Sequence, residues 1–132
     1  PGIKHLNRLE NVLARKSLSR NFFDAIMVDN NENICDCARS SLFIRYGSTL
    51  YTSNNKNLGI LGVTKKIIVD NIKQFNLTID YSPLTLNQLE KADEVIVSNS
   101  IVGAIQVLSI KNKKWEKGTL ANLITNLLNE SN

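Results

Sequence analysis

Apolar positions along this chain switch between helical spacing and the short runs typical of strands. Leu6, Leu9, Val12 and Leu13 recur at helical spacing and predict a helix from about His5 to Ser19. Phe23 to Val28 is a short apolar run closed by Asp29-Asn30-Asn31-Glu32-Asn33, a turn signal, so it predicts a strand entering a hairpin whose return strand is Ile34 to Ala38. Ser41 to Tyr46 is the next strand, turned at Gly47-Ser48 into Thr49 to Thr52. A helix is expected from about Val63 to Phe75, with its apolar stripe on Val63, Ile67, Ile68, Ile72 and Phe75. Leu77 to Tyr81 reads as a strand, and Thr85-Leu86-Asn87-Gln88 as a capping box opening a short helix through Lys91. Glu94 to Val97 and Ala104 to Ile110 are strands joined by the loop Ser98 to Gly103. Thr119 is placed to cap a last helix whose core-facing stripe is Leu120, Leu123, Ile124, Leu127 and Leu128. Short strands with tight turns, interleaved with helices, predict an α+β fold built on a largely antiparallel sheet.

Composition narrows the picture. With 132 residues, 42% of them apolar, the chain is long enough for one domain with a sizeable core. The formal charge of +4 is mild and mostly scattered; its densest group is Lys111, Lys113, Lys114 and Lys117 around Trp115, which a solvated turn explains as well as a nucleic-acid contact. With eight aromatic residues spread along the chain, there is no stacking face for bases, and no nucleic-acid partner is expected. Cys35 and Cys37 fall two apart on a strand, hence on one face, as core or near-core thiols. With these two cysteines and the single His5, the ligand count excludes a Cys/His zinc site, and no metal is expected. A hydroxyl or thiol nucleophile paired with histidine would need His5 itself. Cysteine is sparse, no signal peptide is visible, and no apolar run approaches the roughly 20 residues of a membrane span. The expectation is a cytoplasmic protein without a membrane partner.

The stretch richest in chemistry is the first. Lys4 stands at the mouth of the expected first helix, where free N–H groups and the helix dipole disfavour a further positive charge. An amine that sheds its proton readily is a candidate for Schiff-base chemistry with an aldehyde. A solvated surface lysine is the competing reading.

Lys4-His5-Leu6-Asn7-Arg8-Leu9-Glu10 resembles the cofactor-lysine segment of the fold-type IV pyridoxal-phosphate enzymes, specifically the 4-amino-4-deoxychorismate lyases, with branched-chain and D-amino-acid aminotransferases as sister groups. The resemblance runs through the chain and corresponds to the C-terminal part of a two-domain subunit. It implies a single cofactor-binding domain over residues 1–132, a mixed, largely antiparallel sheet or barrel-like core with flanking helices, and pyridoxal 5′-phosphate as cofactor. A missing N-terminal domain and a homodimer of the full-length form are the implied partners.

That cofactor asks for an amine, a carboxylate at its pyridine nitrogen and donors for its phosphate. By the resemblance Lys4 supplies the amine. Asp36, in Ile34-Cys35-Asp36-Cys37-Ala38-Arg39-Ser40-Ser41-Leu42-Phe43, supplies the carboxylate, although the family usually has Glu at Asp36 and Asn at Ser41. Asp is one methylene shorter, so its strand must approach the ring by roughly 1.5 Å more. Gly59-Ile60-Leu61-Gly62-Val63-Thr64-Lys65 resembles the family's phosphate loop, with Lys65 where Arg is usual; the N–H groups of Val63 and Thr64 would hold the anion and Ile60 would pack on the ring. Ser98-Asn99-Ser100 would add Ser100, and Asn99 beside it, as further cofactor contacts.

The activity implied is conversion of 4-amino-4-deoxychorismate to 4-aminobenzoate and pyruvate, a step of folate biosynthesis, in the full-length protein. Lys4, displaced by the substrate amine, would remove the ring proton and later act as acid. A sister aminotransferase would use the same Lys4 for a proton shift. A non-catalytic domain is the alternative from another class, because the absent half of the family's subunit carries a phosphate-binding arginine.

Overall fold

The computed structural model describes residues 3–8, 10–12, 24–37, 39–54, 60–110 and 113–130; for residues 3–12 and for 60 and 61 it describes the backbone alone. The architecture is α+β. A small sheet of three antiparallel strands has the order β1 (Ile3–Arg8), β3 (Ala25–Asp29), β4 (Ile34–Cys37), and β2 (Glu10–Val12) leaves it to pair with a second sheet. That sheet runs β10 (Lys113–Lys114), β9 (Gly103–Ile110), β8 (Glu94–Asn99), β5 (Ser41–Tyr46), β6 (Thr49–Tyr51), β7 (Thr78–Asp80). All its pairings are antiparallel except β6 with β7, which are parallel and joined through α1 (Ile60–Asn71) and a 3-10 turn at Ile72–Phe75. The remaining helices are α2 (Leu86–Glu90) and α3 (Leu120–Glu130).

The larger sheet has an apolar core on each face. Leu42, Ile44, Val95, Val97, Ile105 and Val107 point toward the small sheet, meeting Ile26, Val28 and Cys37. Phe43, Leu50, Ile96 and Ala104 point the other way, under Ile68 and Ile72 of α1 and Leu120 and Ile124 of α3. Alternation along β5 and β8 explains both, because consecutive side chains leave opposite faces and both faces are covered. The β3–β4 hairpin closes through Asp29, whose Oδ1 accepts from Asn31 and Asn33 N–H, while Glu32 takes the left-handed conformation at φ 65°. Thr85 caps α2 with a full capping box, its hydroxyl accepting from Gln88 N–H and the Gln88 side chain accepting from Thr85 N–H.

Four expectations are corrected. The stretch from His5 is not helical as far as Val12: residues 5–8 pair with β3 and residues 10–12 with β9. Two neighbouring strands with unpaired ladder groups outweigh a weak helical periodicity, because main-chain pairing satisfies the donors along the segment. The rest of that expected helix lies outside the described residues. The second helix starts at Ile60, three residues early, and its last turn tightens to 3-10 before Asn76 at φ 60°. Its stripe is also rotated. Val63 is 63% exposed, whereas Thr64 and Lys65 are buried with Ile68 and Ile72. In α3, Leu123 is 43% exposed and its place in the core is taken by Ala121 and Thr125. Thr125 is tolerated because its hydroxyl bonds both the N–H and the carbonyl of Ala104 at 3.0 Å.

The basic group near the C-terminal helix is partly structural. Lys113 lies over the Trp115 ring at 5.5 Å from its centroid. Buried Trp115 donates its indole N–H to the Ala92 carbonyl.

Candidate functional site

Asp36 is the centre of the arrangement. It sits on β4, is 4% exposed, and its carboxylate is saturated with donors. Oδ1 accepts Leu42 N–H at 3.0 Å; Oδ2 accepts the Ser53 hydroxyl at 2.8 Å; the Lys65 ammonium stands 3.0 Å from Oδ2 and 3.3 Å from Oδ1. Lys65 also donates to Ser53 Oγ at 3.0 Å, which closes a triangle of Asp36, Ser53 and Lys65. Although β4 is an edge strand of the small sheet, Asp36 therefore does not face water. Burial of a carboxylate and an ammonium is tolerable only with such complete bonding.

A second acid shapes the approach to Asp36. Asp24 is 7% exposed and accepts from Ala25 N–H at 2.8 Å, from Arg39 N–H at 3.0 Å and from the Ser40 hydroxyl. With Cys37 N–H donating to Ser40 O, it fixes the tight connection between β4 and β5 that carries Asp36 and Leu42.

Lys4 lies on β1, at the irregularity between Ile3, paired with Asp29, and His5, paired with Val28. It is not at a helix mouth, so the helix-dipole argument for an easily deprotonated amine does not apply; its side chain lies outside the described residues. β1 and β4 flank β3 in one sheet. The backbones of Lys4 and Asp36 are therefore two strand spacings apart, about 10 Å laterally.

The start of α1 faces the same place. Ile68 and Ile72 pack over Phe43 and Ile96, and Lys65, nearly one turn earlier, reaches Asp36 beside Leu42. Two residues back along β5 from Phe43, and two on along β8 from Ile96, stand Ser41 and Ser98, directly paired and therefore on the face that α1 covers. Both are wholly buried, and neither hydroxyl oxygen has a hydrogen-bond partner among the described residues. In a helix beginning at Ile60 the free N–H groups are those of residues 60–62; the N–H groups of Val63 and Thr64, expected to be free, fall after them. Thr64 is buried and Val63 exposed. Leu58, Gly59 and the Ile60 side chain lie outside the described residues.

Asn99 ends β8 and spends its side chain on the following turn: Oδ1 accepts from Ile101 and Val102 N–H at 2.9 Å, and Nδ2 donates to Arg39 O at 3.2 Å. It ties the β8–β9 turn to the β4–β5 connection. Ser100 is exposed in that turn.

Sequence reasoning did not single out Asp24, Ser53 or Ser98, and it read Lys65 only as a replacement for arginine. Lys65 had a signal: it stands three residues before Ile68 and seven before Ile72, on their side of the helix, and a lysine on an apolar stripe needs a buried partner.

These features accompany a clear relationship. A model of the amino-transferase class IV family matches residues 1–110. The chain belongs to this family, the fold-type IV pyridoxal-phosphate enzymes. It is 33% identical over 101 residues to a D-alanine aminotransferase of Listeria monocytogenes, an alignment covering 76% of this chain and 35% of the relative. It is 27% identical over 110 residues to an aminodeoxychorismate lyase of Vibrio harveyi, covering 83% and 41%. A crystal structure of a putative 4-amino-4-deoxychorismate lyase from Legionella pneumophila superposes with TM-score 0.72 at 25% identity, over 88% of this chain and 43% of that one. The chain thus spans little more than a third to two fifths of the relatives it matches.

Proposed function

We propose that this chain is the cofactor-binding part of a pyridoxal-phosphate enzyme that, in its full-length form, cleaves 4-amino-4-deoxychorismate to 4-aminobenzoate and pyruvate. The observation carrying the reading is the 3.0 Å Asp36–Lys65 contact, which joins the acid of β4 to the first turns of α1. Lys4 shares a sheet with that acid. The Lys4 backbone, the acid and the helix start, distant in sequence, thus lie on or beside one small sheet, which supports the reading.

The residues suit the group. A buried carboxylate is the partner a protonated pyridine nitrogen requires. Two buried hydroxyls without partners among the described residues, under the start of a twelve-residue helix, suit a phosphate. Bound there, pyridoxal phosphate supplies an aldehyde for amines and a ring that takes up electron density. Lys4 would hold it, and once released would carry the proton off and back. Asp36 would keep the ring nitrogen protonated. Ser41, Ser98, Ser100 and the free N–H groups of the first turn of α1, up to Gly62, would bind the phosphate, with Ile60 against the ring. Asn99 would act by shaping the turn that presents Ser100.

Lyase is favoured over aminotransferase by Lys4-His5-Leu6-Asn7-Arg8 and Val97-Ser98-Asn99-Ser100, both closer to the lyase pattern. The D-alanine aminotransferase relatives support the second reading, transamination at the same Lys4. A full-length enzyme of this kind would be a cytoplasmic homodimer with a further N-terminal domain.

The test adds pyridoxal phosphate to the full chain and follows visible absorbance. A band lost on Lys4→Ala is expected, and its absence from the unsubstituted protein would leave the non-catalytic reading. Production of 4-aminobenzoate with pyruvate, against formation of an oxo acid from an amino acid, separates the two activities.

A further inference from the structure

The donors on Asp36 are not equivalent. Leu42 N–H belongs to the backbone of a central strand and cannot leave without breaking β5. Lys65 is 6% exposed, anchored on α1, and splits its charge between both oxygens. Ser53 differs from both. It follows β6 in a segment without regular structure, is half-buried, and borders a shallow pocket formed with Cys35, Leu42, Tyr51 and Pro83. A turn about its Cα–Cβ bond, a single side-chain torsion, carries the whole hydroxyl off Oδ2, while Lys65 keeps both of its contacts with Asp36.

A carboxylate has about four lone-pair positions. Here they are taken by Leu42 N–H on Oδ1, Ser53 on Oδ2 and the shared Lys65 ammonium. A ring N–H can enter at full strength only where a donor withdraws, and the withdrawable one is on Oδ2. Resting on the cofactor reading above, we propose that Lys65 and Ser53 are a positioning pair. Lys65 fixes the Asp36 carboxylate, and the Ser53 hydroxyl caps Oδ2 until a protonated pyridine nitrogen replaces it. The shorter reach of Asp36 relative to Glu fits this arrangement, because a short carboxylate whose two oxygens share one ammonium has one orientation to offer. Lys65 touches neither ring nor substrate in this scheme and acts through Asp36 alone.

The consequence is a counter-intuitive affinity change. Removing the cap weakens the empty protein and leaves the loaded one untouched, so Ser53→Ala should bind pyridoxal phosphate roughly two- to tenfold more tightly, the net worth of one hydrogen bond. Lys65→Met should bind more weakly, and Lys65→Arg should recover most of the loss. The experiment titrates the full chain and each variant with pyridoxal phosphate, reading the dissociation constant from the visible band and ring protonation from the nitrogen resonance of 15N-labelled cofactor. The Leu42 amide resonance of the cofactor-free protein reports the carboxylate's position independently, and should move in Lys65→Met but stay in Lys65→Arg. Unchanged or weaker binding by Ser53→Ala overturns the proposal, and this variant carries the test if Lys65→Met fails to fold. An unsubstituted protein with no Lys4-dependent band overturns the cofactor reading itself. A normal band with unaltered Ser53→Ala affinity overturns only the positioning pair.

Discussion

Lys65 of α1 and Asp36 of β4 form an ion pair at 3.0 Å with 8% and 4% of their side chains exposed, the tie between helix layer and small sheet. Either partner left alone would be a buried charge without compensation, whereas removing both leaves a polar cavity of modest consequence. Lys65→Met and Asp36→Ala should therefore each cost roughly 3–5 kcal/mol in stability, and the double variant clearly less than their sum. Urea unfolding of the four proteins gives the coupling directly, and strict additivity would show that the pair is not energetically linked.

Asp24 holds the frame in which Asp36 sits. Its donors, Ala25 N–H, Arg39 N–H and the Ser40 hydroxyl, lose their acceptor in Asp24→Ala. Each buried orphan costs about 1–3 kcal/mol. The β4–β5 connection should loosen first. Amide exchange at Ser40 to Leu42 is expected to accelerate far more than at Val95 to Val97, deep in the larger sheet; uniform acceleration would mean that Asp24 supports only global stability.

These two acids also mark what was legible beforehand. The hairpin, the turn at Gly47, the α2 capping box and strand β5 follow from local chemistry, since turn residues and caps act within a few positions. The first strands were not legible, because their identity depends on partners at Ala25–Asp29 and Val107–Ser109. Of the site, Asp36 was readable through its motif. Asp24, Ser53 and the pairing of Ser41 with Ser98 were not, since ordinary polar residues acquire meaning only when folding buries them opposite one another.

Burial pushes the Cys37 thiol well above its ordinary value of 9.0, the Asp24 and Asp36 carboxylates add to the rise, and a hydrogen bond with Ser40 opposes it. A group that holds its proton more tightly when folded contributes stability fully present below the unfolded value and lost as pH rises through the folded one. Stability should thus decline from about pH 9 upward, and Cys37→Ala should flatten that decline. Cys35, half-buried and raised less, should react with a thiol reagent in the folded protein, while Cys37 reacts only on unfolding. Equal labelling rates for both thiols would contradict this ordering.

Ser41 and Ser98 separate stability from binding. Each hydroxyl oxygen is buried without a partner among the described residues. A desolvated polar group of this kind costs about 1–3 kcal/mol where nothing compensates it. Ser41→Ala and Ser98→Ala should accordingly leave the cofactor-free protein as stable or more stable, by up to about 1 kcal/mol each after the loss of van der Waals contact. If the two hydroxyls serve the phosphate, the same substitutions weaken pyridoxal phosphate binding several-fold while leaving binding of pyridoxal, which lacks the phosphate, unaffected. Thermal unfolding without ligand and parallel titrations with the two compounds provide both readouts. A loss of stability with no loss of phosphate-dependent affinity would assign the serines to the fold alone, and would move the anion site to the exposed turn at Ser100.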